Sequence, residues 1–124
     1  MKLASVRHAG ERRVGIVSAD GRSISPVALT AEEAAKGVTA LIGKDLDALD
    51  LLSPIALSEV EIEAPVPRPD RNIFCVGKNY HAHALEFSRS GFDSSAAQGE
   101  LPEFPIIFSK VPETVVASGA PVLI

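Results

Sequence analysis

The chain has 124 residues, of which 46% are hydrophobic and 23% charged, with a formal net charge of −4. This size allows one domain or two small pieces, and the balance is ordinary for a globular protein. An acidic chain without a Lys/Arg cluster argues against nucleic acid as a partner, and no apolar run approaches the roughly 20 residues of a membrane-spanning helix.

One cysteine excludes an internal disulfide framework and fits a reducing cytoplasm. Charge follows Met1 too soon for a signal peptide. Residues 2–7 and 13–18 are predicted as short strands separated by His8, Ala9, Gly10 and Glu11. In the second, Val14 and Ile16 alternate with Arg13 and Gly15. Asp20-Gly21 signals a turn, and a third strand over 22–25, stopped by Pro26, completes a meander. Residues 30–33, TAEE, have the form of a capping box: the Thr30 hydroxyl accepts from the Glu33 amide while Glu33 reaches back. Ala34, Val38, Leu41 and Ile42 then form the apolar stripe of a single helix, with Gly43 as its stop. A short second helix is predicted over 46–52.

Residues 59–63, EVEIE, alternate, which predicts a strand burying Val60 and Ile62. Its three glutamates would suit a hard divalent cation. A solvated strand face is the better reading. Pro65, Pro67 and Pro69 make a stiff linker and the best boundary in the chain. All six aromatic residues follow it, between positions 74 and 108. The predicted organisation is α+β: a small α/β module over 1–64, a Pro-rich linker over 65–69, and the start of a larger, mostly β domain over 70–124.

Residues 72–87, NIFCVGKNYHAHALEF, hold two of the three histidines, the Cys and the Tyr. An apolar strand breaks at Gly77, and Ala, Leu and Glu then favour a helix from about Tyr80. On such a helix His83 and Glu86 are three residues apart and share a face. A carboxylate beside an imidazole is a common way to build a general base. His81 falls on another side, and His8 sits in a turn. Cys75, in an apolar strand without a basic neighbour, reads as core packing. Residues 88–103 are small, polar and glycine-containing, which suits either a mobile lid or an ordinary surface loop. Phe87 and Phe92 favour the lid. Residues 105–110 return as a strand with Ile106, Ile107 and Phe108 buried, and the apolar run 122–124 reads as a further strand.

The runs GKNYHAHALEF, PIIFSKVPETVV and SGAPVLI resemble the fumarylacetoacetate hydrolase family over roughly residues 70–124. Gly77, Asn79, Tyr80, His83 and Glu86 match the family's G-x-N-Y-x-x-H-x-x-E segment. Pro105, Phe108 and Lys110 match its P-x-x-F-x-K segment, and residues 118–121, SGAP, match the turn that follows.

The resemblance implies an enzyme that cleaves a carbon–carbon bond in a 1,3-dicarbonyl or 2-oxo acid, as in aromatic catabolism. His83 would take a proton from water, oriented by Glu86, so that hydroxide attacks the carbonyl. Asn79, Tyr80 and Lys110 would bind substrate, although a turn or packing role for the first two, and a solvent-reaching strand end for Lys110, fit the residues as well. The implied cofactor is Mg²⁺ (or Mn²⁺/Ca²⁺), and the implied assembly is a cytoplasmic homodimer. The E-x-E pair that holds the family's metal belongs downstream of the F-x-K and turn segments, whereas residues 59–63 lie upstream. The metal ligands are therefore expected beyond residue 124, the chain reads as a truncated piece, and alone it is expected to be inactive. Two alternatives stay open within the family, decarboxylation and isomerisation, of the oxaloacetate or 2-hydroxyhepta-2,4-dienedioate type. A third comes from another class: residues 1–64 as an interaction or assembly module, with His83 and Glu86 structural.

Overall fold

A computed structural model describes residues 1–90 and 103–122. It is α+β, with two sheets and two short α-helices among the described residues. Two compact units are present, Met1–Pro69 together with Glu113–Ile124, and Asp70–Pro112.

In the first unit, β1 (Lys2–His8) and β2 (Glu11–Val17) pair antiparallel from Lys2↔Val17 to His8↔Glu11. Their turn places Ala9 and Gly10 at positive φ. The strand β3 (Ser23–Pro26) adds to β2 and closes the meander expected from the turn at Asp20-Gly21. Pro26 ends β3, where its missing amide costs no ladder bond. Two further strands, β4 (Ile55–Ala56) and β5 (Glu61–Ile62), complete the sheet in the order β4-β3-β2-β1-β5.

That order explains why residues 59–63 are not one strand. The chain must leave β4 at one edge and join β5 at the other within the residues 57–60. Laid flat, the two edges would stand about 19 Å apart at the usual strand spacing. The sheet curls to bring them together, and the connection tightens into a 3₁₀ turn at Leu57–Glu59. Only Glu61 and Ile62 pair with β1, and Ile62 is exposed rather than buried. The expected strand is thus a turn and a short edge.

The capping box forms as read. Glu33 N–H donates to Thr30 Oγ1 at 3.2 Å, and Thr30 N–H donates to Glu33 Oε2 at 3.0 Å. The helix it opens, α1 (Ala31–Ala35), is shorter than expected. Gly37 turns to φ +65°, and the chain continues as a 3₁₀ turn over Gly37–Leu41. The cause is tertiary: Val38 N–H donates to Pro65 O at 2.8 Å, and Ser5 Oγ donates to the same oxygen at 2.8 Å. The proline segment thus lies against Gly37 and interrupts the helix. Ile42 leaves the apolar stripe and is exposed, and Gly43 also turns to positive φ. The predicted helix over 46–52 is a single 3₁₀ turn at Leu46–Ala48. Val14, Val27 and Leu41 form the core, with Leu3, Leu29, Val38, Leu46 and Leu49 packed against them.

The second unit is a two-stranded ribbon and a helix. The strand β6 (Ile73–Gly77) pairs antiparallel with β7 (Ile106–Lys110), from Ile73↔Lys110 to Gly77↔Ile106. The helix α2 (His81–Arg89) follows β6 after a short turn. Both strands and the helix stand where the residue pattern places them, but the burial differs. Ile106, Ile107 and Phe108 are exposed, at 37%, 65% and 45%, and Cys75 is half-buried. Two strands have little area with which to cover their own faces. Near the chain's end, Ser118 and Gly119 form the expected turn, with Gly119 at φ +75° and Ala120 N–H donating to Ala117 O. Val122 is exposed and outside any strand, and 123–124 lie outside the described residues.

Candidate functional site at the turn between β6 and α2

The segment 77–90 is built from a strand end, a strained turn and a helix. Gly77 closes β6 opposite Ile106. Lys78 then adopts φ +48°, which glycine tolerates and a lysine does only with strain. Tyr80 returns to extended backbone (φ −153°) and caps α2 without a side-chain hydrogen bond. The helix runs on to Arg89, and Ser90 closes it by donating N–H and Oγ to Phe87 O at 3.1 and 2.6 Å. Residues 88–90, read from sequence as the start of a lid or loop, are therefore helix end. Positions 91–102, including Phe92, lie outside the described residues.

Four of the expected site residues, Asn79, Tyr80, His83 and Glu86, are gathered on this piece. Tyr80 and His83 pack ring against ring, with centroids 5.4 Å apart and planes tilted by 40°. His83 is half-buried, while Asn79, Tyr80 and Glu86 are exposed. Ala84, beside His83, is fully buried, so α2 seats the flank next to the imidazole in protein and leaves Glu86 in solvent. No hydrogen bond or ion pair joins His83 to Glu86 among the described residues, despite their spacing. Lys110 stands elsewhere on the ribbon. It pairs with Ile73, the opposite end from Gly77, about 13 Å along the strand at the usual rise per residue.

One residue escaped the sequence reading. Lys78 is only 5% exposed, and its ammonium lies 5.8 Å from the centroid of the Phe87 ring. A Lys between Gly and Asn at a strand-to-helix turn hints at positive φ, but nothing in the sequence announces the burial.

The glutamates of residues 59–63 are accounted for otherwise. Glu59 and Glu61 are exposed. Glu63 turns inward and binds two arginines, accepting from Arg7 Nη2 at 2.7 Å and from Arg12 Nε at 2.5 Å. The Arg12 hydrogen bonds, then those from Arg7, hold the Glu63 carboxyl below the usual carboxylate range, against a burial that pushes it up. Among the described residues no three His, Cys, Asp or Glu side chains stand close enough to hold a metal ion. A divalent cation does not fit the donor set of the described residues. The cavity of about 510 Å³ between the β1–β2 turn and α1 is lined by Arg7, Arg12, Arg13, Val14 and Leu29 among others, and holds none of the expected site residues.

Residues 72–124 match the family model described as the fumarylacetoacetate (FAA) hydrolase C-terminal domain. The match begins one residue before β6 and takes in the turn, α2 and β7. The chain is also similar to the oxaloacetate tautomerase YisK of Bacillus subtilis (strain 168), at 42% identity over 64 residues. That alignment covers 52% of this chain and 19% of the relative, so the chain spans about a fifth of the relative's length. No helix among the described residues is long and apolar enough to cross a membrane.

Proposed function

We propose that the protein to which this chain belongs is an enzyme acting on small 2-oxo acids, with His83 as the group that moves the proton. The observation that carries the reading is the half-buried His83 on α2, packed against Tyr80, within the segment that matches the family model. The first reaction assigned is keto–enol interconversion of oxaloacetate, because a relative with 42% identity over its aligned part carries that name. In that reaction the neutral imidazole takes a proton from the carbon beside the ketone. The C–H electron pair becomes the C=C bond of the enolate, and the proton is delivered to the former carbonyl oxygen.

Glu86 would swing toward His83 and orient it once substrate is bound, since catalytic hydrogen bonds often tighten only in the complex. Tyr80, packed against the imidazole, and Asn79, the exposed residue before it, would donate to a substrate carboxylate or to the developing enolate oxygen. Lys110 would serve a second carboxylate as a point charge, an assignment that rests on the resemblance alone. The divalent ion that the resemblance implies would take its carboxylates from outside the described residues, and none of these steps involves it. A cytoplasmic homodimer belongs to the same proposal.

A second reading is favoured by the hydrolase description of the matching family. There the same imidazole takes its proton from water, and the hydroxide attacks one carbonyl of a 1,3-dicarbonyl; the bond to the neighbouring carbon breaks, its electron pair leaves as the enolate of the other carbonyl, and the imidazolium returns the proton to that enolate. Assaying the full-length protein on oxaloacetate (enol absorbance) and on an acylpyruvate (loss of the diketone) separates the two. Turnover of oxaloacetate without acylpyruvate cleavage supports the first reading, the reverse supports the second, and turnover of neither refutes both.

A further inference from the structure

Three features of Lys78 stand together. Its backbone is at φ +48°, where glycine would sit without strain, so the position is held by a residue poorly suited to it. Its side chain is 5% exposed, although lysine is among the residues least often buried. Its ammonium lies over the face of Phe87, within the range at which a cation and a ring attract. Phe87 is four residues after His83, one helical turn along the same side of α2.

We infer that Lys78 is a positioning residue for His83: its ammonium, seated over Phe87, clamps α2 to the turn after β6 and thereby sets where the imidazole stands. Tyr80 packs against His83 from the N-terminal side of the helix, while Lys78 and Phe87 hold the next turn. The strained turn puts the lysine back over its own helix. A catalytic group has to be held to a fraction of an ångström, and misplacement by about 1 Å can cost a hundredfold in rate. The kinetic part of this inference rests on the proposed role of His83. The clamp itself does not.

The experiment uses the full-length protein and four variants: Lys78→Gly, Lys78→Arg, Phe87→Leu and His83→Ala. Glycine is the informative replacement because it suits φ +48° better than lysine and should leave folding intact. In Lys78→Gly, amide hydrogen exchange across 82–88 is expected to speed up about tenfold, the scale of a partly desolvated cation–π contact. The value of kcat should fall about tenfold or more with KM nearly unchanged. Phe87→Leu should show the same pattern, and Lys78→Arg should restore it. Unchanged exchange in Lys78→Gly overturns the inference. So does a raised KM at unchanged kcat, which would make Lys78 a substrate contact. If His83→Ala is fully active, the role proposed for His83 fails, and the exchange rates still decide whether the clamp exists.

Discussion

Arg7 and Arg12 stand directly opposite each other on the antiparallel pair β1–β2, and the carboxylate of Glu63 binds both. Two like charges facing across strands repel. Here a single acid, with only 14% of its side chain exposed, binds both guanidiniums and ties the end of β5 to the adjoining β1–β2 hairpin. Arg12 also donates to Ala35 O, closing the end of α1. Replacing Glu63 by Gln should therefore destabilise the first unit by about 1–3 kcal/mol, the cost of losing hydrogen bonds between charged groups. Urea unfolding of wild type and variant measures this.

The same contact predicts a pH dependence. The folded-state pKa of Glu63 is depressed, with the Arg12 hydrogen bonds the largest cause. Its contribution to stability is therefore complete above the ordinary glutamate value of about 4.3 and is lost as pH falls through the lower folded value. The urea midpoint should hold steady near neutrality and drop in acid. In Glu63→Gln that acid drop should be shallower. An equally steep drop would assign it to other carboxylates.

Gly37→Ala should destabilise by about 2 kcal/mol or more, combining left-handed strain with a backbone clash. An added Cβ would stand 2.3 Å from Pro65 O and 2.4 Å from Pro67 Cδ, and neither has room to move without breaking the bonds to Val38 and Ser5. A thermal melt reads the effect. An unaffected Tm would mean that the proline segment is not fastened to the sheet.

Much of the local structure could be read from residue pattern. The β1–β2–β3 meander, the Thr30–Glu33 capping box, the strand at Ile73–Gly77 and the helix bearing His83 each rest on neighbours in sequence. What the pattern could not show was long-range. Gly37 lies inside an apolar stripe of helical period, and only the carbonyl of Pro65, far along the chain, makes it a break. The alternation in residues 59–63 is genuine, yet the chain has to pass from one sheet edge to the other there, so Ile62 stays exposed and Glu63 turns inward. At the candidate site, spacing singled out His83 and Glu86 and the family resemblance added Tyr80, but the buried Lys78 depends on a backbone angle that no periodicity reports.

Tyr80 can be dissected in two steps. Tyr80→Phe keeps the ring that packs against His83 and removes only the hydroxyl. If the hydroxyl contacts substrate, as proposed, KM for oxaloacetate should rise severalfold, the effect of about 1 kcal/mol for a lost hydrogen bond. Tyr80→Ala also removes the ring and should lower kcat further. Equal kinetics for Tyr80→Phe and wild type would limit the residue to packing.

If His83 moves the proton, its loss should slow the rate at which the full-length protein interconverts the keto and enol forms of oxaloacetate, measured for wild type and His83→Ala at matched folding by circular dichroism. Loss of a general base typically costs about 10²- to 10⁴-fold. A fall in kcat of that size, with the fold retained, is the expected result. A folded His83→Ala protein that turns over at the wild-type rate would contradict it.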